Sequence, residues 1–353
     1  MNIVYGVSGE GLGHVYEAIE IATHLKGLGH TVKILTYGER ACASLARFNP
    51  TRIEGIQLYF KPKGMSLVDT VTKNLGCIPF YARHGRRLMR ELEAFRPDVF
   101  ITAYEPFTTT MAHAMRIPLI SMDNQNELLH ILPPDEGYGV AFALVQWATR
   151  VCTHGAAHYV VKTFHAPGVQ RGNVHFVAPI IQNEIRRLSP EYGDHVLVYL
   201  TKPNPELIEV LRTIDETFHV YCHNREGREG NIVYRRQGAA YVEDLRSCKA
   251  IVATTGFSLI ADAIYLKKPY YGVPLKRQFE QTHNAHFIRD AGFGEFSETI
   301  TRANLTGFLG RLAGYRENLV RYALDPAQQE NTLVALLEEV RAGRNDGARG
   351  LVL

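Results

Sequence analysis

Apolar segments of strand length alternate with segments of helical spacing along this chain, and the alternation begins twice. The first series runs through Ile3–Val7, Val15–Leu28, Thr31–Thr36, Arg83–Phe95, Asp98–Thr102 and Pro118–Met122. The second series runs through His195–Leu200, Pro205–Thr217, Phe218–Cys222, Ala250–Ala253 and Pro269–Val273. Because strands that alternate with helices form parallel sheets of βαβ units, the sequence predicts an α/β chain in two similar halves.

The two halves predict two Rossmann-like domains with parallel sheets that face each other across a cleft. A length of 353 residues suits two domains of ordinary size. The apolar segment Phe176–Ile181, around Pro179, is the predicted hinge. We expect an N-terminal domain over 1–178, a C-terminal domain over 179–325, and a terminal segment over 326–353. In that segment the helix Gln328–Arg341 could pack back on the N-terminal domain, and the tail from Gly343 is expected to be frayed.

Composition narrows the class of protein. The net charge is only +3, which argues against a dedicated nucleic-acid binder. The five cysteines form no Cys-x-x-Cys pair and their number is odd, a usage typical of a reducing cytoplasm. The N-terminus lacks the basic and apolar regions of a signal peptide, and no window reaches the ~18 apolar residues of a membrane span. We therefore expect a cytoplasmic protein.

A glycine-rich turn, GEGLGH, follows the first predicted strand and ends at His14. Its spacing is not that of a dinucleotide-binding turn, and the nearest acid after the second strand is Glu39, so a dehydrogenase is disfavoured without being excluded. In one interpretation a second molecule approaches Glu10, Gly11 and Gly13, and the His14 imidazole is a general base. In the other, the turn is a plain one and His14 caps the helix.

Acidic residues follow two later strands of the first half. Asp123 comes directly after Pro118–Met122, where its carboxylate could orient His14 and stabilise the protonated imidazole. The spacing of Asp123 alone favours an Asx turn that closes the strand. Glu105 follows Asp98–Thr102 with the same ambiguity, either facing the second molecule or closing the strand.

Residues 254–284 have the features of a phosphate and sugar site. A turn at Thr255 and Gly256 opens a helix, whose free N–H groups and dipole favour an anion. The helix carries Asp262, which could reach a ribose hydroxyl, although a lone helical aspartate is usually solvated. A predicted polar loop then offers acceptors and amide donors from Glu280, Gln281 and Asn284.

Three weaker features have two interpretations each. Tyr241 and Val242 precede the Ala250 strand and could contact a nucleobase, or simply begin a helix. His154 and His158 have helical spacing without a third ligand, so we favour structural histidines and expect no metal. The Arg83–Arg90 helix has a basic face that could touch an anionic membrane or a phosphorylated molecule, although a solvated face is favoured.

Taken together, GEGLGH, DNQN at 123–126, GFSLIADAIYLKKP and PLKRQFEQTHNAHFI resemble the GT-B glycosyltransferases. The likeness spans nearly the whole chain. It is greatest to an uncharacterised bacterial and archaeal branch, related to the peptidoglycan GlcNAc transferase and the UDP-glycosyltransferases. The resemblance implies a metal-independent transferase without a cofactor, whose C-terminal domain holds a nucleotide-sugar.

The resemblance also implies roles for the matching residues. The turn that holds the diphosphate corresponds to Thr255, Gly256, Phe257 and Ser258. The residue that contacts the ribose corresponds to Asp262. The residues that contact the donor sugar correspond to Glu280, Gln281 and Asn284, and the segment that packs against the base corresponds to Tyr241 and Val242. His14 would be the catalytic base, with Asp123 as its partner. The chain departs from its relatives at Leu200-Thr201-Lys202-Pro203, which replaces a glycine-serine turn, and Lys202 could supply a charge to the phosphate instead.

The sequence thus predicts an inverting glycosyltransferase that moves a sugar from a nucleotide diphosphate-sugar, UDP-linked, to an acceptor hydroxyl. A lipid-linked sugar and a natural product are both open as acceptors, and a peripheral position on the inner face of the membrane would suit the basic helix. Two alternatives remain. One is a nucleotide-sugar 2-epimerase of the same architecture, and the other is a non-catalytic nucleotide-sugar sensor.

Overall fold

A computed structural model describes residues 1–9, 13–55, 60–61, 64–65, 72, 74–75, 77–131, 139–165, 167–201, 203–221, 225–275 and 278–349. The chain divides into two compact units. Unit 1 comprises Met1–Ile180 and Asp325–Leu353, and unit 2 comprises Ile181–Leu324. The predicted boundary after residue 178 lies close to the first of these divisions.

Unit 1 is built on a mainly parallel sheet. Its strands are β1 Asn2–Val7, β2 Thr31–Thr36, β3 Thr51–Arg52, β4 Phe60–Lys61, β5 Gly64–Met65, β6 Val99–Ala103, β7 Leu119–Asp123, β8 His158–Lys162, β9 Gln170–Arg171 and β10 Val174–Val177. Its helices up to residue 180 are α1 Gly13–Gly27, α2 Glu39–Ser44, α3 Cys77–Phe95, α4 Pro106–Met115, α5 Glu127–His130 and α6 Gly139–Thr153, with a 3-10 turn at Ala46–Phe48. The strand order is β3-β2-β1-β6-β7-β8-β10-β9, while β4 and β5 form a separate pair.

Both faces of this sheet are covered, because successive side chains of a strand point to opposite faces. In β1, Ile3, Tyr5 and Val7 join a core cluster with α1. Val4 faces the other way, into a cluster that includes Leu88 of α3 and residues of α4. All neighbouring strands of the sheet are parallel except β9, which pairs antiparallel with β10. The apolar runs in the sequence therefore reflect strands buried on both sides.

Unit 2 repeats the architecture. Its strands are β11 His195–Tyr199, β12 Thr217–Tyr221, β13 Gly227–Glu229, β14 Ile232–Arg235, β15 Ala250–Ala253, β16 Tyr270–Gly272 and β17 Gly294–Phe296. Its helices are α7 Asn183–Arg186, α8 Pro205–Arg212, α9 Ala239–Ser247, α10 Phe257–Tyr265, α11 Phe279–Asp290, α12 Arg302–Leu309 and α13 Leu312–Arg321. The strand order is β13-β14-β12-β11-β15-β16-β17, and only β13 runs antiparallel to its neighbour.

The last helix, α14 Gln328–Arg349, belongs to unit 1. Its apolar face adds Leu333, Leu336, Leu337 and Val340 to the core cluster of β1 and α1. The helix continues to Arg349, so the tail that we expected to be frayed from Gly343 is helical up to that residue. Within the described residues, no helix combines the length and apolar character that crossing a bilayer requires.

Several predicted elements have other bounds in the structure, and the helix predicted at Arg83–Phe95 begins earlier, at Cys77. The helix expected at Pro205–Thr217 ends at Arg212, because the Asn231 side chain holds the carbonyls of Leu211, Ile214 and Glu216 at 2.8–3.0 Å and turns the chain into β12. The polar loop expected to carry Glu280, Gln281 and Asn284 is instead the beginning of α11. Its buried residues, Gln281, Asn284, Ala285, Phe287 and Ile288, recur at helical spacing.

Candidate functional site

Each sheet has a point where the strand order reverses, and ligands of open α/β sheets bind beyond the strand ends at such points. In unit 1 the point lies between β1 and β6, which pair in register from Ile3 and Val99 to Val7 and Ala103. In unit 2 it lies between β11 and β15. The segments that lead from β1 to His14 and from β15 to Gly256 therefore begin at the expected edges of their own sheets.

His14 is the second residue of α1 and is buried. Its Nε2 lies 3.3 Å from the side-chain nitrogen of Gln125. Its Nδ1 is buried and has no hydrogen-bond partner in the described part of the chain. Burial, helped by the positive charge of Lys162, lowers the pKa of His14 to about 3. The imidazole is therefore neutral at physiological pH, and one of its two ring nitrogens carries a lone pair.

Asp123 does not contact His14, which corrects the expected pairing. Its Oδ1 accepts from the Asn126 backbone at 2.8 Å and from the Asn126 side chain at 3.0 Å. Its Oδ2 accepts from Ser121 at 2.8 Å and from the Asn126 side chain at 2.9 Å. The carboxylate is thus fully occupied within its own turn, as in the alternative Asx-turn interpretation. It holds the turn that carries Gln125, and Gln125 is the residue that reaches the imidazole.

Two features beneath His14 were missed in the sequence. Gln125 lies within the DNQN motif, which was a usable signal, but we assigned the polar role to Asp123. Glu17 of α1 forms a buried ion pair with Lys162 of β8, and Gln329 of α14 also donates to Glu17. A glutamate one turn after His14, on the apolar face of its helix, was a signal that a partner must be buried with it.

The other predicted residues of unit 1 have mixed outcomes. Gly13 is exposed at the start of α1, whereas Glu10 and Gly11 lie outside the described residues. Glu105 is buried and caps α4, because its carboxylate accepts from the backbone N–H groups of Phe107 at 3.0 Å and Thr108 at 2.7 Å. The Glu105 carboxylate is thus engaged as a helix cap, and its place on the acceptor side stays a prediction.

The turn after β15 leaves a helix N-terminus open. Gly256 is the N-cap of α10, and no side chain caps this helix. A Cβ added at Gly256 would meet no atom within 4 Å, so the backbone faces open space. The first turn of α10 carries Phe257 and Ser258, as the sequence predicts. The uncapped N–H groups and the helix dipole suit a phosphate.

Asp262 lies further along the same helix and is 9% exposed. No hydrogen bond or ion pair joins its carboxylate to another described residue. Burial alone raises the pKa of Asp262 to about 7. Burial, with a smaller contribution from the charge of Asp262, raises the pKa of the Tyr241 hydroxyl. A buried carboxylate without a partner is well suited to accept hydrogen bonds from the hydroxyl groups of a ligand.

Two of the residues expected to bind a donor sugar, Gln281 and Asn284, hold the turn at Thr255. The Asn284 side chain donates to the Thr255 carbonyl at 3.0 Å, while its Oδ1 is buried without a partner among the described residues. The Thr255 hydroxyl donates to the Gln281 carbonyl at 2.7 Å, and the Gln281 side chain accepts from the Leu275 backbone at 2.9 Å. Glu280 lies in the first turn of α11. Lys202 lies outside the described residues.

Asp244 anchors α9, the helix on which Tyr241 and Val242 lie. The Asp244 Oδ2 lies 2.9 Å from His219 Nδ1, 2.6 Å from the Tyr221 hydroxyl and 3.4 Å from Arg235 Nε. With His195 these groups could be taken for a metal site. Because Arg235 and the hydroxyl already satisfy the carboxylate, we interpret the cluster as a structural anchor.

The chain is similar to several known proteins in sequence and fold. An uncharacterized glycosyltransferase of Methanosarcina acetivorans is 22% identical over 327 residues, which cover 83% of this chain and 85% of that protein. The solved glycotransferase of kitacinnamycin has a TM-score of 0.64 at 17% identity, over 97% of this chain and 95% of its own. The glycosyltransferase VinC, in complex with DTDP, has a TM-score of 0.61 at 14% identity, over 96% and 99%. These likenesses confirm the predicted GT-B fold.

A family model described as glycosyl transferase family 1 matches residues 1–313. The match includes β1 and α1 with His14, and it extends through α10 and α11 of unit 2. Since it spans most of the chain, the protein belongs to glycosyl transferase family 1 and is a glycosyltransferase.

Proposed function

We propose that the protein transfers a sugar from a nucleoside diphosphate-sugar, UDP-linked in the first instance, to an acceptor hydroxyl with inversion at the anomeric carbon. The observation that carries the donor assignment is the uncapped N-terminus of α10 together with the unpartnered Asp262 on the same helix. VinC, which has a similar fold, is solved with a nucleoside diphosphate, and this supports a donor of that class.

In the proposed reaction unit 2 holds the donor and His14 of unit 1 acts on the acceptor. The His14 imidazole takes the proton of the acceptor hydroxyl, whose oxygen forms a bond to the anomeric carbon. The bond between that carbon and the diphosphate breaks, and its electron pair leaves with the nucleoside diphosphate. The N-terminus of α10 stabilises the negative charge that develops, so no metal ion is required for this role.

His14 can be the base only if one ring nitrogen keeps a free lone pair. The oxygen and nitrogen of the Gln125 amide exchange places when the amide rotates by 180°. With the oxygen toward His14, Gln125 accepts from Nε2–H, and the buried Nδ1 without a partner becomes the basic nitrogen. Asp123 contributes by fixing the turn that carries Gln125. Gln125 is thus a positioning residue for the base.

Incubation with radiolabelled UDP-sugars tests the reaction class. We expect slow release of UDP and free sugar without an acceptor, and transfer of label to a hydroxyl compound when one is present. Formation of an epimer with UDP still attached would contradict the proposal and favour the 2-epimerase. Donor binding with neither hydrolysis nor transfer, across a panel of acceptors, would favour the sensor.

We expect Asp262→Asn to weaken the binding of UDP-glucose about 5- to 10-fold at pH 8, because a hydrogen bond to a charged acceptor becomes one to a neutral amide. The wild-type affinity should rise through pH 7 as the carboxylate ionises, and this dependence should vanish in the variant. Titration calorimetry at pH 6 and pH 8 measures both effects. Asp215→Asn, at an exposed acid of unit 2, is the control and should change neither.

The same substitution should stabilise the protein. The folded-state pKa of Asp262 lies above its ordinary value. The protonated carboxyl group therefore contributes to the stability of the protein below about pH 4, and this contribution is lost as the pH rises through about 7. Asp262→Asn should therefore raise Tm by about 3 °C at pH 8, with a difference that shrinks toward pH 4. A lower Tm at pH 8 would show that the carboxylate is needed for folding.

We expect Gln125→Met to lower kcat by about 10- to 100-fold with little change in donor affinity, because the imidazole loses the contact that fixes its tautomer. In the wild type, nitrogen-15 NMR of labelled histidine should show His14 protonated at Nε2 and not at Nδ1, with His14→Gln giving the assignment. A proton found on Nδ1 in the wild type would refute the role given to Gln125, whatever the activity of the variant.

A further inference from the structure

A cavity of about 1020 Å³ lies between α3 and α4 in unit 1. Its lining includes Glu105 and Pro106, which follow shortly after the end of β6. Since β6 pairs with β1, and Ser8 donates to the Ala103 carbonyl at 3.1 Å, the cavity lies at the edge of the sheet from which the chain continues to His14. The described residues that line it are Glu54, Tyr81, Gly85, Arg86, Met89, Arg90, Glu93, Glu105, Pro106, Phe107, Thr110 and Met111.

The lining of the cavity is mainly apolar and includes two aromatic rings that stack on each other. The rings of Tyr81 and Phe107 are stacked, with centroids 4.7 Å apart and planes 14° apart. Met89 and Met111 add flexible thioethers, which adapt to the outline of a ring. The Tyr81 hydroxyl donates to the Glu54 carbonyl and so is already satisfied. A sugar acceptor would lose hydrogen bonds to water here, whereas a flat apolar molecule would be favoured.

Two guanidinium groups of the wall carry no carboxylate partner. Arg86 and Arg90 lie one turn apart on α3 and are exposed, and no carboxylate of a described residue is within 4.0 Å of either. Glu93 lies one turn further along the same helix, and Glu54 lines another part of the cavity, but neither forms an ion pair with them among the described residues. Arg87, by contrast, lies outside the lining and pairs with Glu91 at 3.1 Å.

The Glu105 carboxylate does not oppose an anion strongly, because it is bound by the N-terminal N–H groups of α4. Adjacent guanidinium groups on one helix face favour a planar anion such as a carboxylate. We propose that this cavity selects the acceptor, and that the acceptor is a flat apolar molecule that bears a hydroxyl for transfer and an anionic group held by Arg86 and Arg90. That the hydroxyl receives a sugar rests on the proposed function, whereas the binding of this molecule in the cavity does not.

Binding is tested with two fluorescent probes of similar shape. 1-Anilinonaphthalene-8-sulfonate is anionic, and N-phenyl-1-naphthylamine is its neutral counterpart. We expect the double variant Arg86→Gln/Arg90→Gln to bind the anionic probe about 10-fold more weakly and the neutral probe less than about 2-fold more weakly. Only the anionic probe loses charge-assisted hydrogen bonds. Arg87→Gln is the matched control and should affect neither probe.

Gly85→Leu tests the cavity itself. A Cβ at Gly85 meets no atom within 4 Å, and leucine favours a helix more than glycine does, so the variant should fold while its side chain fills the cavity. We expect both probes to bind about 10-fold more weakly. Gly307→Leu in α12, where a Cβ also meets nothing within 4 Å, is the control and should bind both probes normally.

The outcomes separate this inference from the transfer reaction. With labelled donor, wild type should prefer 6-hydroxy-2-naphthoic acid to 2-naphthol, and Arg86→Gln/Arg90→Gln should lose the preference. Probe binding that follows the variants without any transfer would leave the cavity assignment intact and contradict the proposed function. Transfer that Gly85→Leu leaves unchanged would overturn the inference. So would arginine-dependent binding to phosphatidylglycerol vesicles without arginine-dependent probe binding, which would assign the basic face to a membrane.

Discussion

His14→Gln should lower kcat for sugar transfer by about 10²- to 10⁴-fold, the usual contribution of a general base. The donor should still bind with nearly unchanged affinity, since the residues assigned to it lie in unit 2. Steady-state kinetics and calorimetric titration of UDP-glucose measure the two quantities separately. His24→Gln, further along the same helix, is the control and should retain full activity. Unchanged turnover in His14→Gln would remove His14 from the mechanism.

The pKa of His14 adds a check on stability. Because the folded-state pKa is about 3, well below the ordinary 6.5, the neutral ring contributes stability above about pH 6.5, and this is lost as the pH falls toward 3. Glutamine does not titrate, so Tm should fall less between pH 7.5 and pH 5 in His14→Gln than in the wild type. Equal losses of Tm would show that the ring is not desolvated in the folded state.

Lys162→Met should destabilise unit 1 by about 3–5 kcal/mol, because it leaves the Glu17 carboxylate buried without a cation. The side chains of Lys162 and Glu17 are only 5% and 4% exposed, so water cannot replace the lost partner. The only tryptophan of the chain, Trp147, lies in α6, and its fluorescence during urea unfolding therefore reports on unit 1. We expect the urea midpoint to fall with little change in slope.

Two controls define the source of this loss. Replacing both partners, as Lys162→Met/Glu17→Leu, should recover most of the stability, since no unpaired charge remains. Arg87→Met breaks the exposed pair with Glu91, where the arginine side chain is 68% exposed, and should cost less than about 1 kcal/mol. A double variant as unstable as Lys162→Met would instead assign the loss to packing.

The central strands of both sheets could be predicted from their apolar residues, whereas β8, β10 and the short strands were not predicted. The strands at Thr31–Thr36 and Ala250–Ala253 have the predicted bounds. Ala250–Ala253 is a continuous apolar run, whereas Thr31–Thr36 contains Lys33 among its apolar residues. Residues 280–284 were not readable as a helix, because their buried members are polar and the usual apolar spacing is missing. Because the buried residues of this helix form amide hydrogen bonds, the segment has the polar composition of a loop.

The hydrogen-bond partners of the site residues were harder to predict from the sequence than the site residues themselves. His14 and Asp262 could be singled out from the turns that precede them. The Asp123 carboxylate accepts hydrogen bonds from Asn126 and Ser121, and Gln125 contacts the histidine instead. This choice of partners depends on differences of a few ångströms in local geometry, which the sequence does not show. The contact between Gln329 and Glu17 joins residues 312 positions apart, and only the folded chain brings them together.

The position of α14 has a consequence for synthesis on the ribosome. Most of unit 1 precedes unit 2 in the chain, whereas α14 follows unit 2, so unit 2 must be synthesised before α14 can complete the core of unit 1. Until then the surface that receives Leu333, Leu336 and Leu337 is exposed, and Glu17 lacks the Gln329 contact. Unit 1 therefore begins to be synthesised before unit 2 but is completed after it, and its nascent form exposes apolar surface that favours aggregation.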